Sequence, residues 1–298
     1  MNIVKTGTDI LNAIKIGEDY LKNKGIQGPH LESEVLLSYI LKKERIELYM
    51  EKDIMLSDEE INAFEEMLLK RGEGVPTSYL TGSREFLSMD FIIAPGVLIP
   101  RAETELLVEE VISLLQGCGE SFKEHINIID LGTGSGIIAV SIARLFPTCR
   151  VYAVDISKKA LEIASLNAVR FNVEDKITFI EGDFLSCIQS CGLEGKTHVI
   201  VSNPPYIPTD QIETLQKEIK DYEPITALDG GRDGLDCYRE IIPSAANCLI
   251  KGGILALEVG YNQAQAVKIL IEETKSFKSI TIKKDYAGYE RIVMAIRK

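Results

Sequence analysis

The chain has 298 residues, 45% of them hydrophobic and 26% charged, with a formal net charge of −12, six cysteines, three histidines and no tryptophan. At about 100–200 residues per domain this is ordinary globular composition for two domains, and it excludes disordered and fibrous classes. Residues 1–85 carry −5 and residues 86–298 carry −7, so neither part is the basic surface that sequence-independent nucleic-acid binding requires.

Residues 1–85 read as helices only. Ile10, Leu11, Ile14 and Leu21 form one helical stripe, and Val35, Leu36, Tyr39 and Ile40 form a second after the break at Gly25 to Pro29. Ser57 with Glu60 makes a capping box ahead of Ile61, Phe64, Met67 and Leu68. Next, Phe86 to Ile93, a turn at Pro95-Gly96, and Val97 to Ile99 predict a β-hairpin linker over 86–99.

From residue 100 strands alternate with helices. A helix through Leu106, Leu107, Val111, Leu114 and Leu115 leads to strand Ile126–Leu131 and helix Ile137–Leu145. Strand Val151–Asp155, helix Lys158–Phe171 and strands Ile177–Glu181 and His198–Ser202 follow. Helix Tyr238–Cys248, strand Gly253–Val259, helix Asn262–Lys275 and strand Glu290–Ile296 complete the pattern. The order predicts an α/β fold with a doubly wound, mostly parallel sheet, preceded by a small all-helical N-terminal domain.

The cysteines (Cys118, Cys149, Cys187, Cys191, Cys237, Cys248) form no CxxC, and His30, His125 and His198 stand at no ligand spacing to them, so no metal site and no disulfide framework is expected. No signal-like start and no apolar run approaching 18 residues is present, which predicts a soluble, cytoplasmic chain without membrane contact.

Four stretches carry chemistry. Asp130-Leu-Gly132-Thr133-Gly134-Ser135-Gly136 lies between a strand and a helix, where glycine lets a ligand approach the backbone and the helix N-terminus offers free N–H groups. Its GxGxG spacing is not the GxGxxG of dinucleotide folds, which favours a cofactor without phosphates; a merely tight strand–helix turn is the competing reading. Asp155 ends the next strand, where a carboxylate can accept from both ribose hydroxyls. Asp183-Phe184 ends the third, where Asp183 can read an adenine edge and Phe184 can cover its face; a turn Asp and a core Phe is the bland alternative.

Asn203-Pro204-Pro205-Tyr206 ends the fourth strand, at the usual ligand edge of an open α/β sheet. Two prolines remove two N–H donors and leave carbonyl oxygens as acceptors; Asn203 adds a side-chain oxygen and Tyr206 a flat ring. That combination suits a planar –NH2 group.

The pairing of Asn203-Pro-Pro-Tyr206 with Asp130-Leu-Gly-Thr-Gly-Ser-Gly136 resembles the S-adenosylmethionine-dependent amino methyltransferases. Gly96-Val-Leu-Ile-Pro-Arg101-Ala-Glu-Thr-Glu105, Tyr222-Glu-Pro224 through Asp233-Gly-Leu235 to Tyr238, and Glu258-Val-Gly260 narrow the resemblance to the release factor glutamine methyltransferases. The resemblance implies a seven-stranded methyltransferase sheet over 100–298 and methyl transfer from S-adenosylmethionine to the side-chain amide nitrogen of a glutamine, leaving S-adenosylhomocysteine. It also implies that this glutamine sits in the Gly-Gly-Gln loop of class I peptide chain release factors.

By the same resemblance, Gly132 to Gly136, Asp155, Phe184 and Asn203 line the cofactor, joined by Asp183 from its strand-end position, and Asn203 to Tyr206 hold the glutamine, with Asn203, Pro204 and Tyr206 as its catalytic residues. Phe184 stands where some members have Trp. Residues 1–85, with no glycine loop and no chemistry motif, are expected to recognise the protein substrate. Two rivals remain: an adenine or cytosine amino methyltransferase acting on DNA or RNA, and a nucleotide-binding interaction module without catalysis.

Overall fold

The computed structural model describes residues 3–117, 126–183 and 192–298. The chain divides into two compact units: the residues up to Ser83 together with Gln216–Tyr222, and Arg84–Leu215 together with Glu223–Lys298.

The first unit is helical: α1 (Ile10–Asn23), α2 (Pro29–Leu41), α3 (Arg45–Met50), α4 (Asp58–Gly72) and α5 (Thr77–Thr81), joined by a single helical turn at Lys217–Lys220. The expected capping box is present: the Ser57 N–H donates to Glu60 Oε2 at 2.8 Å and the Glu60 N–H to Ser57 Oγ at 3.3 Å. The buried face of α2 runs through Ser33, Leu36 and Leu37, while Tyr39 is exposed. Ser33 is tolerated inside because its hydroxyl donates to the Ile14 carbonyl of α1 at 2.8 Å. Arg71, almost wholly buried in α4, explains why residues 216–222 belong here: its guanidinium donates to Glu32 at 2.8 Å and to Glu218 at 2.6 Å.

The second unit begins with a hairpin, β1 (Ser83–Phe86) and β2 (Met89–Ile92). The chain reverses at Leu87-Ser88, not at Pro95-Gly96, and residues 97–99 form no strand. Both turn residues adopt positive φ (49° and 58°), the geometry of a two-residue hairpin turn, without the Asn-Gly or Asp-Gly dipeptide that would have announced it. The Leu87 N–H is held by Glu105 at 2.9 Å.

The elements α6 (Glu103–Gly117), β3 (Ile126–Leu131), α7 (Ile137–Leu145), β4 (Cys149–Asp155), α8 (Lys158–Arg170), β5 (Ile177–Glu181), β6 (Thr197–Ser202), α9 (Asp236–Cys248), β7 (Leu249–Glu258), α10 (Ala264–Glu273), β8 (Phe277–Lys284) and β9 (Glu290–Arg297) then follow. The seven strands β3–β9 lie in the order β5-β4-β3-β6-β7-β9-β8, and β9 alone runs antiparallel to its neighbours. Central strands read as near-continuous apolar runs because helices cover both faces. Strand β8 had no such signal: it is the sheet edge, and its exposed Lys278 and Lys284 interrupt the pattern.

The placement of strands matters for function. After β3 the chain builds outward to β4 and β5, then returns to lay β6 on the other flank of β3. The carboxyl ends of β3 and β6 therefore meet at the point where strand order reverses, where open α/β sheets leave a crevice.

Candidate active site

The loop after β3 is held from below. Asp130 Oδ2 accepts from the Thr133 hydroxyl at 2.6 Å and from the Ala139 N–H at 3.1 Å, while the Gly132 and Thr133 N–H groups both reach the Val154 carbonyl at 2.9 Å. Asp130 is fully buried, its Oδ1 has no protein partner, and burial pushes its carboxyl up to about 7. Gly136, at φ 80°, allows α7 to start against α8; a Cβ there would lie 2.8 Å from that of Ala164.

Asp155 turns its carboxylate back onto this loop. Its Oδ2 accepts from the Gly134 N–H and its Oδ1 from the Ser157 N–H, each at 2.8 Å. Burial raises its pKa, opposed by those N–H groups. Space is open above Gly134, where an added Cβ would meet nothing within 4 Å.

The loop after β6 is held by side chains. Gln263 donates to the Tyr206 carbonyl at 2.8 Å, and the Ile207 N–H and carbonyl pair with Leu228 and Gly230 at 3.0 and 2.8 Å. Asn203 Nδ2 donates to Thr104 Oγ1 at 3.2 Å, and the Thr104 hydroxyl donates to Glu258 Oε2 at 2.7 Å. Thr104 is 0% and Glu258 1% exposed, and burial pushes the Glu258 carboxyl up to about 7. Behind the loop, Arg101 and Glu223 pair at 2.7 Å, and Glu223 also accepts from the Ile99 N–H.

A cleft of about 470 Å³ joins the two loops. Gly132, Gly134, Asp155, Asp183, Asn203 and Pro205 line it, together with Ile156 and Cys237. Thr133, Ser135 and Pro204 are buried behind it, and Gly136 serves helix packing rather than the wall. Tyr206 does not line the cleft; its half-buried ring packs against the sheet core beside Gly260. Phe184, like Cys118, His125, Cys187 and Cys191, lies outside the described residues.

Among the described residues lining the cleft there is no Lys or Arg, whereas Asp155, Asp183, Asp229 and Glu240 supply carboxylates. Such a wall disfavours phosphates and favours a ligand with hydroxyls and positive charge. It fits S-adenosylmethionine, which has a ribose diol, a sulfonium, an ammonium and no phosphate. Among the described residues no three His, Cys, Asp or Glu cluster as a metal site, and no helix is long and apolar enough to cross a membrane.

Comparison with known proteins gives the same direction. A family model described as the PrmC N-terminal domain matches residues 12–82, and one described as the methyltransferase small domain matches residues 104–220. A release factor glutamine methyltransferase of Moorella thermoacetica is 42% identical over 274 residues, covering 92% of this chain and 93% of the relative. That of Clostridium acetobutylicum is 38% identical over 266 residues, covering 89% and 90%. The chain belongs to the release factor glutamine methyltransferase family. Among solved structures, the hMettl16 catalytic domain in complex with MAT2A 3′UTR hairpin 6 has a TM-score of 0.55 at 15% identity, covering 77% of this chain and 81% of that one, a likeness of fold alone.

As a member of this methyltransferase family, the chain has S-adenosylmethionine as its methyl donor. Several residues of the site escaped sequence reasoning. Ile156 is apolar yet 60% exposed at the cleft wall, and its only signal was its place directly after Asp155. Thr104 and Glu258 sit within stretches that carried the resemblance, but nothing local linked them, since 154 positions separate them. Gln263, which anchors the Asn203 loop, had no signal at all.

Proposed function

We propose that the chain transfers a methyl group from S-adenosylmethionine to the side-chain amide nitrogen of the glutamine in the Gly-Gly-Gln loop of class I peptide chain release factors, leaving S-adenosylhomocysteine. One observation carries this reading above the others: a loop rich in acceptors and poor in donors, Asn203 to Tyr206, opens onto a cleft walled by carboxylates and apolar groups.

When bound, S-adenosylmethionine supplies an electrophilic methyl group on a sulfonium. Gly132 and Gly134 provide the close-approaching backbone beneath it. Asp155, whose two oxygens each accept one backbone N–H, retains lone pairs for the ribose hydroxyls. Asp183, in the cleft wall, reads the adenine edge in this scheme, and Ile156, also in the wall, covers one face of its ring.

Amide nitrogen is a weak nucleophile because its lone pair is delocalised into the carbonyl. Asn203 Oδ1 and the Pro204 carbonyl accept the two N–H bonds of the substrate glutamine, hold its nitrogen partly pyramidal and aim the lone pair at the methyl group. Alignment of this kind supplies several kcal/mol through effective molarity, and hydrogen bonds that strengthen as the N–H groups become acidic stabilise the transition state. Pro204 and Pro205 present no N–H that could compete. Tyr206 stiffens the loop through the packing of its ring against the sheet core.

No side-chain base is needed, since the proton leaves after methyl transfer, to water. Cys237, in the cleft wall, does not serve as one: burial, reinforced by nearby carboxylates, pushes its thiol up to about 11. The helical unit, which carries none of these residues, takes the protein substrate.

The deciding experiment offers labelled S-adenosylmethionine and purified release factor, DNA or ribosomal RNA to the full chain, followed by mass mapping. Label on the Gly-Gly-Gln glutamine is the expected result. Label on an exocyclic base amine with an unmodified release factor would overturn the proposal.

A further inference from the structure

We infer that Thr104 and Glu258 are positioning residues for methyl transfer, which fix the end of the Asn203 amide that faces the substrate nitrogen. The inference rests on the reading of Asn203 as an acceptor for the glutamine amide. A primary amide has a donor end and an acceptor end of nearly identical shape, so packing alone distinguishes them poorly. For Asn203 the difference is decisive. Turned one way it offers an oxygen to the substrate –NH2 group; turned the other way it offers a second –NH2 group, donor against donor.

The hydrogen-bond chain selects the first orientation. A hydroxyl has one proton, and that of Thr104 is directed to the Glu258 carboxylate at 2.7 Å. Toward Asn203, Thr104 Oγ1 can therefore only accept, and it does so from Nδ2 at 3.2 Å. A flipped Asn203 would set its oxygen against lone pairs of Oγ1, with no water to intervene, because Thr104 and Glu258 are buried.

The choice of a carboxylate at position 258 follows the same logic. A glutamine there could donate to Oγ1 and release the hydroxyl proton toward Asn203, so both amide orientations would be satisfied. A carboxylate that accepts only permits one. Burial disfavours that charge, so the selection operates where Glu258 is ionised, and the rates are compared at pH 8.

The three residues come from different elements. Thr104 lies in the first turn of α6, Glu258 ends β7, and Asn203 follows β6, the neighbour of β7 in the sheet. Neither Thr104 nor Glu258 lines the cleft, so each acts through Asn203.

The test is a double-mutant cycle in the full-length protein with release factor as substrate and saturating S-adenosylmethionine. Thr104→Val keeps the shape and loses the hydroxyl; it should lower kcat about tenfold beside Asn203, but less than about twofold in the Asn203→Ala background. Glu258→Gln should show the same pattern, and Thr104→Ser should recover most of the rate. Cofactor affinity, measured by calorimetry, should stay unchanged in all three variants.

Full rate in both Thr104→Val and Glu258→Gln, with Asn203→Ala slow, overturns the inference while leaving the reading of Asn203 standing. An equal loss in the two backgrounds overturns it as well, because a structural defect would ignore Asn203. Should Thr104→Val lose its thermal transition, the cycle is read on Glu258→Gln. A wild-type rate in Asn203→Ala removes the acceptor reading itself, an outcome distinct from the others.

Discussion

Two loops meet in one cleft from the ends of adjacent strands, and they are built from opposite materials. The loop after β3 is glycine-rich, with positive φ at Gly132, Gly134 and Gly136, and its backbone N–H groups point at carboxylate and carbonyl oxygens. The loop after β6 is proline-rich, lacks N–H groups at Pro204 and Pro205, and is fixed by side chains from α6 and from Gln263, just before α10. Glycine brings backbone close to a ligand, here with its N–H groups held by the protein itself; proline stiffens and leaves acceptors. The difference teaches a division of labour. One loop suits a cofactor held along its length, the other a single –NH2 group held at one point.

The largest effect should come from breaking the acceptor loop at that point. Asn203→Ala should lower single-turnover methyl transfer by about 10²–10³, the usual loss for one preorganised hydrogen bond at a reacting atom. Cofactor affinity should fall much less, since most of the proposed contacts lie on the other loop. A near wild-type rate would remove Asn203 from the chemistry.

Asp155→Ala should break the comparison from the other side. Loss of a charged acceptor for a ribose diol weakens S-adenosylmethionine binding by about 1.5–3 kcal/mol, or roughly 10- to 150-fold. Some of that loss will reflect the freed Gly134 and Ser157 N–H groups, which the carboxylate now holds. Unchanged affinity by calorimetry in a folded variant would take Asp155 out of the site.

A smaller substitution separates the two loops without touching a reacting group. At Gly230 an added Cβ would lie 2.7 Å from Tyr206 Cα, so Gly230→Ala must displace the acceptor loop. A shift of several tenths of an ångström should lower turnover about tenfold through misalignment and leave cofactor affinity intact. Equal losses in turnover and affinity would show that the loops move as one.

The fold was legible wherever a periodicity repeated. Six strands of the main sheet and the helices between them follow from apolar runs bounded by turn residues, and the Ser57 capping box from its spacing alone. What stayed hidden had no local signature. The Leu87-Ser88 turn uses residues that rarely adopt positive φ, and β8 is a lysine-bearing edge. In the cleft, Gly132, Gly134, Asp155, Asp183 and Asn203 were readable because each ends a strand or opens a loop. Thr104, Glu258 and Gln263 were not readable as parts of a site, because their meaning comes from contacts over 57 to 154 positions of sequence. Tyr206 was readable as part of a motif, but its ring packs toward the core, which no spacing could reveal.

The last expected effect concerns stability rather than rate, and it compares the loops once more, because each rests on a buried carboxylate. Asp130 lies under the glycine loop and Glu258 behind the asparagine loop, and burial pushes both up to about 7. Thr133 and the Ala139 N–H oppose the shift at Asp130, and the Asp155 charge adds to it. At Glu258, Thr104, Arg291 and Arg101 oppose it and Glu103 adds to it; Tyr206 and Tyr238 face it as neutral phenols, both shifted upward. The folded chain therefore keeps protons that the unfolded chain, with ordinary carboxyls near 4, has already released. Stability from these two groups should fall as pH rises from about 4.5 to about 7 and then level off, because the folded state binds more protons across that window. Glu258→Gln and Asp130→Asn should each flatten part of this slope, read from urea unfolding at pH 5, 6, 7 and 8 as the difference from wild type. Methyl transfer should move the other way, rising toward pH 7 as Glu258 ionises and commits the Thr104 proton. Unfolding curves that remain parallel to wild type over the whole range would mean that neither carboxylate holds its proton in the fold, and the opposed trends of stability and activity would disappear together.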